Sequence, residues 1–165
     1  MRTTIKTIVL IAVLALLATS CSTGATDEAA AAEKAAATQE AYTQAFLAQD
    51  IDAVMATYTD DVEFINRSMS THWTGSERVQ SGTKGIFSMT DPDSTEVLES
   101  FVSDDGSQGV IHWHWVGENG LDKPIDLMHV QLLEYTDGLI SMLTSYWETM
   151  DVEEQLTAGY PGSGS

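Results

Sequence analysis

The chain of 165 residues carries 25 acidic against seven basic side chains, a formal charge of −18, and one cysteine. That length holds one ordinary domain with a real core and no second one. The acidity excludes nucleic acid and anionic lipid headgroups as electrostatic partners, and a lone cysteine excludes an internal disulfide framework.

The N-terminus reads as an export signal. Arg2 and Lys6 supply a positive start, and Ile8 to Leu17 is an unbroken apolar run of ten residues, too short to span a bilayer. Small residues Ala18, Thr19 and Ser20 precede Cys21, and LATSC resembles a lipobox. The resemblance implies cleavage just before Cys21 and diacylation of its thiol; an ordinary cleaved signal with a stray cysteine is the alternative. Each buried acyl methylene adds about 0.8 kcal/mol, so two or three chains anchor a protein durably. The expected address is the cell envelope, attached to a membrane through lipid. Ser22 rather than aspartate after the cysteine is consistent with the outer membrane, facing the periplasm, in a cell that has one. Losing Arg2 and Lys6 with the signal leaves five basic residues against 25 acidic, read as a solvated surface without catalytic meaning.

Residues 1–20 are thus the signal, 21–33 the lipidated cysteine with a flexible tether, 34–150 the domain, and 151–165 a short, mostly disordered tail. Within the domain, Tyr42, Ala45 and Phe46 share one helical face. Asp50 has the chemistry to cap a second helix by accepting from the free amides at residues 52 and 53. Val54, Met55 and Tyr58 form the apolar face of that helix, which Thr59-Asp60-Asp61 ends. Val62 to Ile65 is β-branched and aromatic, as strands are. A polar loop through His72, Trp73 and Gly75 follows, then a short helix over Thr83 to Met89. Strands are predicted over Thr95 to Ser103, Val110 to Val116, Pro124 to Tyr135 and Leu139 to Glu148, with turns at Asp104-Asp105-Gly106 and Thr136-Asp137-Gly138. In the second of these, Val110, His112, His114 and Val116 share one face, and Ile111, Trp113 and Trp115 the other. Helices first and an antiparallel meander after them give an α+β domain.

The run YTQAFLAQDIDAVMATYTDDVEF from Tyr42 to Phe64, with EYTDGLISMLTSYWE from Glu134 to Glu148, resembles the SnoaL-like group of the nuclear-transport-factor-2-like superfamily. The resemblance spans about residues 36 to 150. It implies a cone: a strongly curved mixed sheet with helices closing its open side, an apolar pocket inside, and a homodimer formed through the sheet. Relatives in that group include polyketide cyclases, ketosteroid isomerases, scytalone dehydratase and limonene-epoxide hydrolase.

Carried over residue by residue, the resemblance puts Tyr42 where the isomerases keep an enolate-stabilising tyrosine; a core tyrosine with a hydrogen-bonded tip is the bland alternative. The isomerase general base aligns with Asn66, an amide unable to take a proton at neutral pH. The second isomerase acid aligns near Val130. Steroid isomerisation is therefore not expected. Histidine remains as the acid/base group, and a rough alignment points the His112 and His114 face into the cone. On that reading His112, His114 and Tyr42 are the catalytic candidates, with Asn66, Tyr58, Trp147, His129 and Trp115 binding the ligand. The alternative leaves the histidines facing solvent and the Trp113 and Trp115 face making the core. Gly106, His112, His114 and Glu118 match the opening of a cupin metal motif, but Ile125 stands at its closing glycine, so no metal is expected. No phosphate loop, nucleophile elbow or dinucleotide fingerprint occurs, and no cofactor is called for. Two functions stay open: an enzyme doing cofactor-free isomerisation, cyclisation, dehydration or hydrolysis on a small apolar ligand, and a non-catalytic binding or assembly module of the envelope.

Overall fold

The computed structural model describes residues 23–147 and 155–156. Cys21 and the export signal lie outside the described residues, as does most of the expected tail. Three helices and six strands follow one another: α1 (Thr23–Leu47), α2 (Ile51–Met55), β1 (Tyr58–Asn66), β2 (Thr71–Thr74), α3 (Ser76–Phe87), β3 (Glu96–Val102), β4 (Gln108–Glu118), β5 (Pro124–Thr136) and β6 (Leu139–Trp147). The strands form one curled sheet in the order β2-β1-β6-β5-β4-β3. It is mixed, because β1 runs parallel to β6 while every other neighbouring pair is antiparallel. The α+β class is what the sequence pattern implied, and the curled mixed sheet with helices over its open side is what the family resemblance implied.

Several boundaries move. Alanine-rich sequence has high helix propensity, and α1 already begins at Thr23, so residues 23–33 are helix where a tether was expected. This early part is docked: a Cβ added to Gly106, in the β3–β4 turn, would lie 2.4 Å from the Ala31 carbonyl carbon. Further along α1, Lys34 Nζ donates to the Asp137 carbonyl, and Thr38 Oγ1 donates to that of Gly138 at 2.6 Å. Asp50 caps α2 as expected, accepting from the Ala53 amide. Tyr58, however, opens β1 instead of closing α2, because its backbone pairs with Ile140 of β6. The polar loop around His72 and Trp73 is strand β2, where Phe64 pairs with Trp73. In the tail, Gln155 Oε1 accepts from the Asp126 amide at 2.7 Å, and Leu156 packs beside Trp115 and Ile125.

The core lies between the concave sheet face and the helices. Tyr42 and Phe46 of α1, Val54 of α2 and Val79 of α3 meet Val62, Phe64, Ile111, Trp113, Leu133 and Leu143 of the sheet. Alternation along β4 decides which groups enter. Ile111, Trp113 and Trp115 are buried, whereas His112 and His114 are half-buried on the outer face. The expectation that the His112 and His114 face lines the cone is corrected here. Burying one indole is worth roughly 4–6 kcal/mol, so a strand with tryptophan on one side and histidine on the other turns the tryptophans inward.

Candidate functional site

Between α3 and the β1–β2 end of the sheet lies a cleft of 430 Å³. Phe64 and Trp73 form one wall, with ring centroids 4.6 Å apart and nearly parallel planes. The Arg78 guanidinium lies over the Trp73 ring, 5.2 Å from its centroid. Ser81, Gly82, Gly85 and Ile86 bring the facing surface of α3 to the cleft, and Met69, Met89, Trp147 and Leu156 complete its apolar lining. Gly82 is required by contact: a Cβ there would sit 2.1 Å from the Trp73 ring. Gly85 is the opposite case, because a Cβ there meets nothing within 4 Å. A cleft of this size suits a small organic molecule.

Behind it, sharing Phe64, Ile86 and Trp147 as a common wall, lies an inner pit of only 20 Å³. Its lining is more polar: Tyr42, Tyr58, His129, Gln131 and Ser145 reach it beside Trp115. The interior is thus filled almost to closure at its deep end and open toward α3.

Hydrogen bonds fix most of these tips. Gln131 Oε1 accepts from Trp113 Nε1 at 2.9 Å and from the Tyr42 hydroxyl at 3.3 Å. Trp115 Nε1 donates to Thr90 Oγ1 at 2.8 Å, and Trp147 Nε1 donates to Ser145 Oγ at 2.7 Å. Burial pushes the Tyr42 hydroxyl up to about 12 against smaller opposing hydrogen bonds from Tyr58 and Gln131. Burial, with Tyr42 beside it, also holds Tyr58 well above the ordinary phenol range. Both remain neutral donors at physiological pH.

His129 differs from its neighbours. Its ring lies 6.0 Å from Trp113 in near-parallel stacking, 6.4 Å from Trp115 edge-on, and 6.2 Å from Trp147. Its Nδ1 is buried without a hydrogen-bond partner among the described residues. Burial, and secondarily the charge of His112 across the strand pair, lowers its pKa to about 3. It is a neutral imidazole in an indole cage.

The structure therefore brings Tyr42, Tyr58, Asn66, Trp115, His129 and Trp147 to the two adjacent spaces. His112 and His114 are not among them. His114 Nε2 lies 2.8 Å from Asp126 Oδ1 and its Nδ1 3.7 Å from Glu96 Oε1, on the outer face. That hydrogen bond to Asp126, with Glu96 adding to it, raises the His114 pKa. Asn66 reaches the cleft with its Oδ1 already accepting from the Met69 amide at 2.9 Å, which ties the β1–β2 turn. Among the described residues no three His, Cys, Asp or Glu side chains converge as metal ligands, and none of their helices is long and apolar enough to cross a membrane. Gln131 and Ser145 are the polar groups that sequence reasoning left out. The cue was parity: once Trp113 is inside, its partner His129 and then Gln131 must be too.

The SnoaL-like domain model matches residues 39–142. Comparison with the curated proteins finds no match. Among solved structures, the chain is similar to a steroid delta-isomerase from Pseudomonas aeruginosa, with 16% identity, TM-score 0.60, and coverage of 75% of this chain and 84% of that one. It is similar to the epoxide hydrolase/cyclase-like enzyme SalBIII of pyran ring formation in salinomycin, with 14% identity, TM-score 0.63, and coverage of 72% and 94%. An NTF2-like protein from Burkholderia xenovorans gives 11% identity, TM-score 0.63, and coverage of 76% and 97%. At these identities the likeness is one of fold.

Proposed function

Because the chain belongs to the SnoaL-like domain family, we propose that it is an exported, lipid-anchored protein that binds one small hydrophobic molecule in the cleft beside α3. The observation that carries this reading is an apolar space of 430 Å³ with no charged side chain in its lining among the described residues. The names of two fold neighbours, a steroid isomerase and a cyclase-like enzyme, supply the class of guest. Binding is preferred to turnover on chemical grounds. No carboxylate lines either space among the described residues, and the three histidines with accessible rings, His72, His112 and His114, are not among the residues lining them.

Mass spectrometry of molecules retained by the purified domain tests the reading directly. Gly85→Leu is the matching variant. It puts a side chain where the cleft mouth has room and removes a helix-interior glycine, worth about 0.8 kcal/mol in propensity. The expected outcome is loss of the retained molecule with an unchanged or higher Tm; unaltered ligand content would refute the cleft as the site.

The anchor belongs to the same proposal. Cys21→Ser is expected to move the protein from the membrane to the soluble fraction, and an unchanged membrane fraction would overturn lipidation. We further propose that two copies associate through the outer sheet face, where Phe101, Leu132 and Tyr146 are 60%, 42% and 45% exposed. Exposed apolar side chains gathered on one surface are the usual mark of an interface.

A further inference from the structure

We propose that Leu156 sets the size of guest that the cleft beside α3 accepts, and that Gln155 and Asn119 hold it in position. This rests on the cleft being a binding site and names the residue by which that site selects.

The end of the sheet explains why this piece of the tail is held. β6 stops at Trp147, whose partner on β5 is His129. Asp126 stands earlier on β5, where no β6 residue pairs with it among the described residues. Its β4 neighbour Val116 is engaged elsewhere: the Val116 amide donates to Thr95 Oγ1, and its carbonyl accepts from the Asp91 amide. Gln155 takes the place that a longer β6 would fill. Its Oε1 accepts from the Asp126 amide at 2.7 Å, and its Nε2 donates to the Asp126 carbonyl at 3.2 Å. A side-chain amide offers the same acceptor and donor as a peptide group, so it can stand in for a neighbouring strand.

Asn119 adds a second tie from the loop between β4 and β5. It is buried, and its Oδ1 accepts from the Leu121 and Lys123 amides at 2.8 and 3.3 Å, which fixes the side chain in its own loop. Its Nδ2 donates to the Gln155 and Leu156 carbonyls at 3.0 and 3.4 Å. A backbone clasped at two points presents its side chains at a set place.

One of those side chains is Leu156, which packs beside Trp115 and Ile125 and also lines the cleft. The rest of the lining comes from β1, β2, β6, α3 and the short segments beside them. Phe64, the wall opposite in kind, belongs to the main core, so altering it disturbs the fold. Leu156 is a wall that can be moved without touching that core. Small changes in such a wall matter, because one methylene in an apolar pocket changes affinity roughly 10–200-fold.

The test uses two uncharged probes that differ by one fused ring, naphthalene and phenanthrene, titrated against the full chain by tryptophan fluorescence. The readout is the ratio of the two affinities, which a partly misfolded sample leaves unchanged because both probes meet the same folded population. Leu156→Ala draws the wall back and should favour phenanthrene about ten-fold over the parent ratio; Leu156→Phe advances it and should move the ratio the other way. Asn119→Asp keeps the acceptor for the loop amides but removes the donor to the tail. It should shift the ratio as Leu156→Ala does, and the double variant should add little to either. If both probes bind but the Leu156 variants leave the ratio where it was, or weaken both probes equally, the size assignment is overturned while the cleft stands. Fully additive shifts would refute Asn119 as the positioning residue. If neither probe binds the parent, the cleft reading fails and this inference fails with it.

Discussion

His129 is an imidazole enclosed by three indoles, and that enclosure has a consequence for stability. An unfolded histidine titrates near 6.5, whereas the folded one titrates at about 3. As pH falls from 6.5 toward 3, the unfolded chain takes up a proton that the folded chain refuses. Stability therefore drops across that window by about 1.4 kcal/mol per pH unit from this site. Denaturant unfolding at pH 7 and pH 4.5 should show a smaller loss for His129→Phe than for the parent; equal losses would mean the ring is not held neutral. His114 has the opposite sign, since Asp126 and Glu96 raise its pKa. Its contribution is present in full below the unfolded value and fades as pH rises through the folded one. At this scale the sequence was half informative. Alternation in Val110 to Val116 showed which side chains share a face, yet period two is blind to which face is inside. Only the competition between indole and imidazole burial settles that, and it is tertiary.

At the scale of elements, close backbone approaches decide positions that no pattern of residue types reveals. Gly117 pairs with Thr90 in an isolated bridge, and a Cβ there would lie 1.8 Å from the Met89 carbonyl oxygen. The Glu118 amide donates to that same oxygen at 3.1 Å, and the Asp91 amide donates to the Val116 carbonyl at 2.9 Å. Gly117→Ala must therefore push the end of α3 away from β4. A loss of about 1–3 kcal/mol is expected from such overcrowding, read as a lower denaturant midpoint at unchanged slope; a neutral result would mean this junction yields freely. The four later strands were legible because their alternations are long, whereas the helix expected over Thr83 to Met89 instead runs from Ser76 to Phe87. Strand β2 was not legible, since Thr71–Thr74 is four residues whose strand character comes from pairing with β1. Tyr58 misled for a related reason: its spacing from Val54 and Met55 fits a helix face, and only its pairing with Ile140 makes it strand. The start of α1 was hidden by composition, because a run of alanines reads equally as tether or helix until something packs on it.

For the whole molecule, net charge and the outer sheet face act against each other. A formal charge of −18 makes two copies repel, while Phe101, Leu132 and Tyr146 offer apolar surface. Association through that face should strengthen with added salt, which screens the repulsion. Leu132→Asp, placing a new charge at its centre, is expected to weaken association at least ten-fold in sedimentation velocity; an unaffected dimer would put the contact elsewhere. Site and surface were legible to different degrees. The resemblance to a family implied a cone with a pocket, and Tyr42, Trp147 and Tyr58 do reach it. The split into a roomy mouth and a nearly closed depth depends on side-chain volumes meeting across α3, β1 and β6, which are remote in sequence.

The parallel seam between β1 and β6 also makes the first strand depend on the last. Tyr58 finds its partner at Ile140, and Phe64 finds its own at Leu143. Without those residues, β1 and β2 are only a two-stranded ribbon, which is marginal by itself in water. The remaining strands can meander together early, but the hollow has no closed side until the final strand slots between β1 and β5. A chain truncated before that strand is thus expected to be protease-sensitive with its tryptophans exposed to water, which limited proteolysis of a chain ending at residue 138 would check.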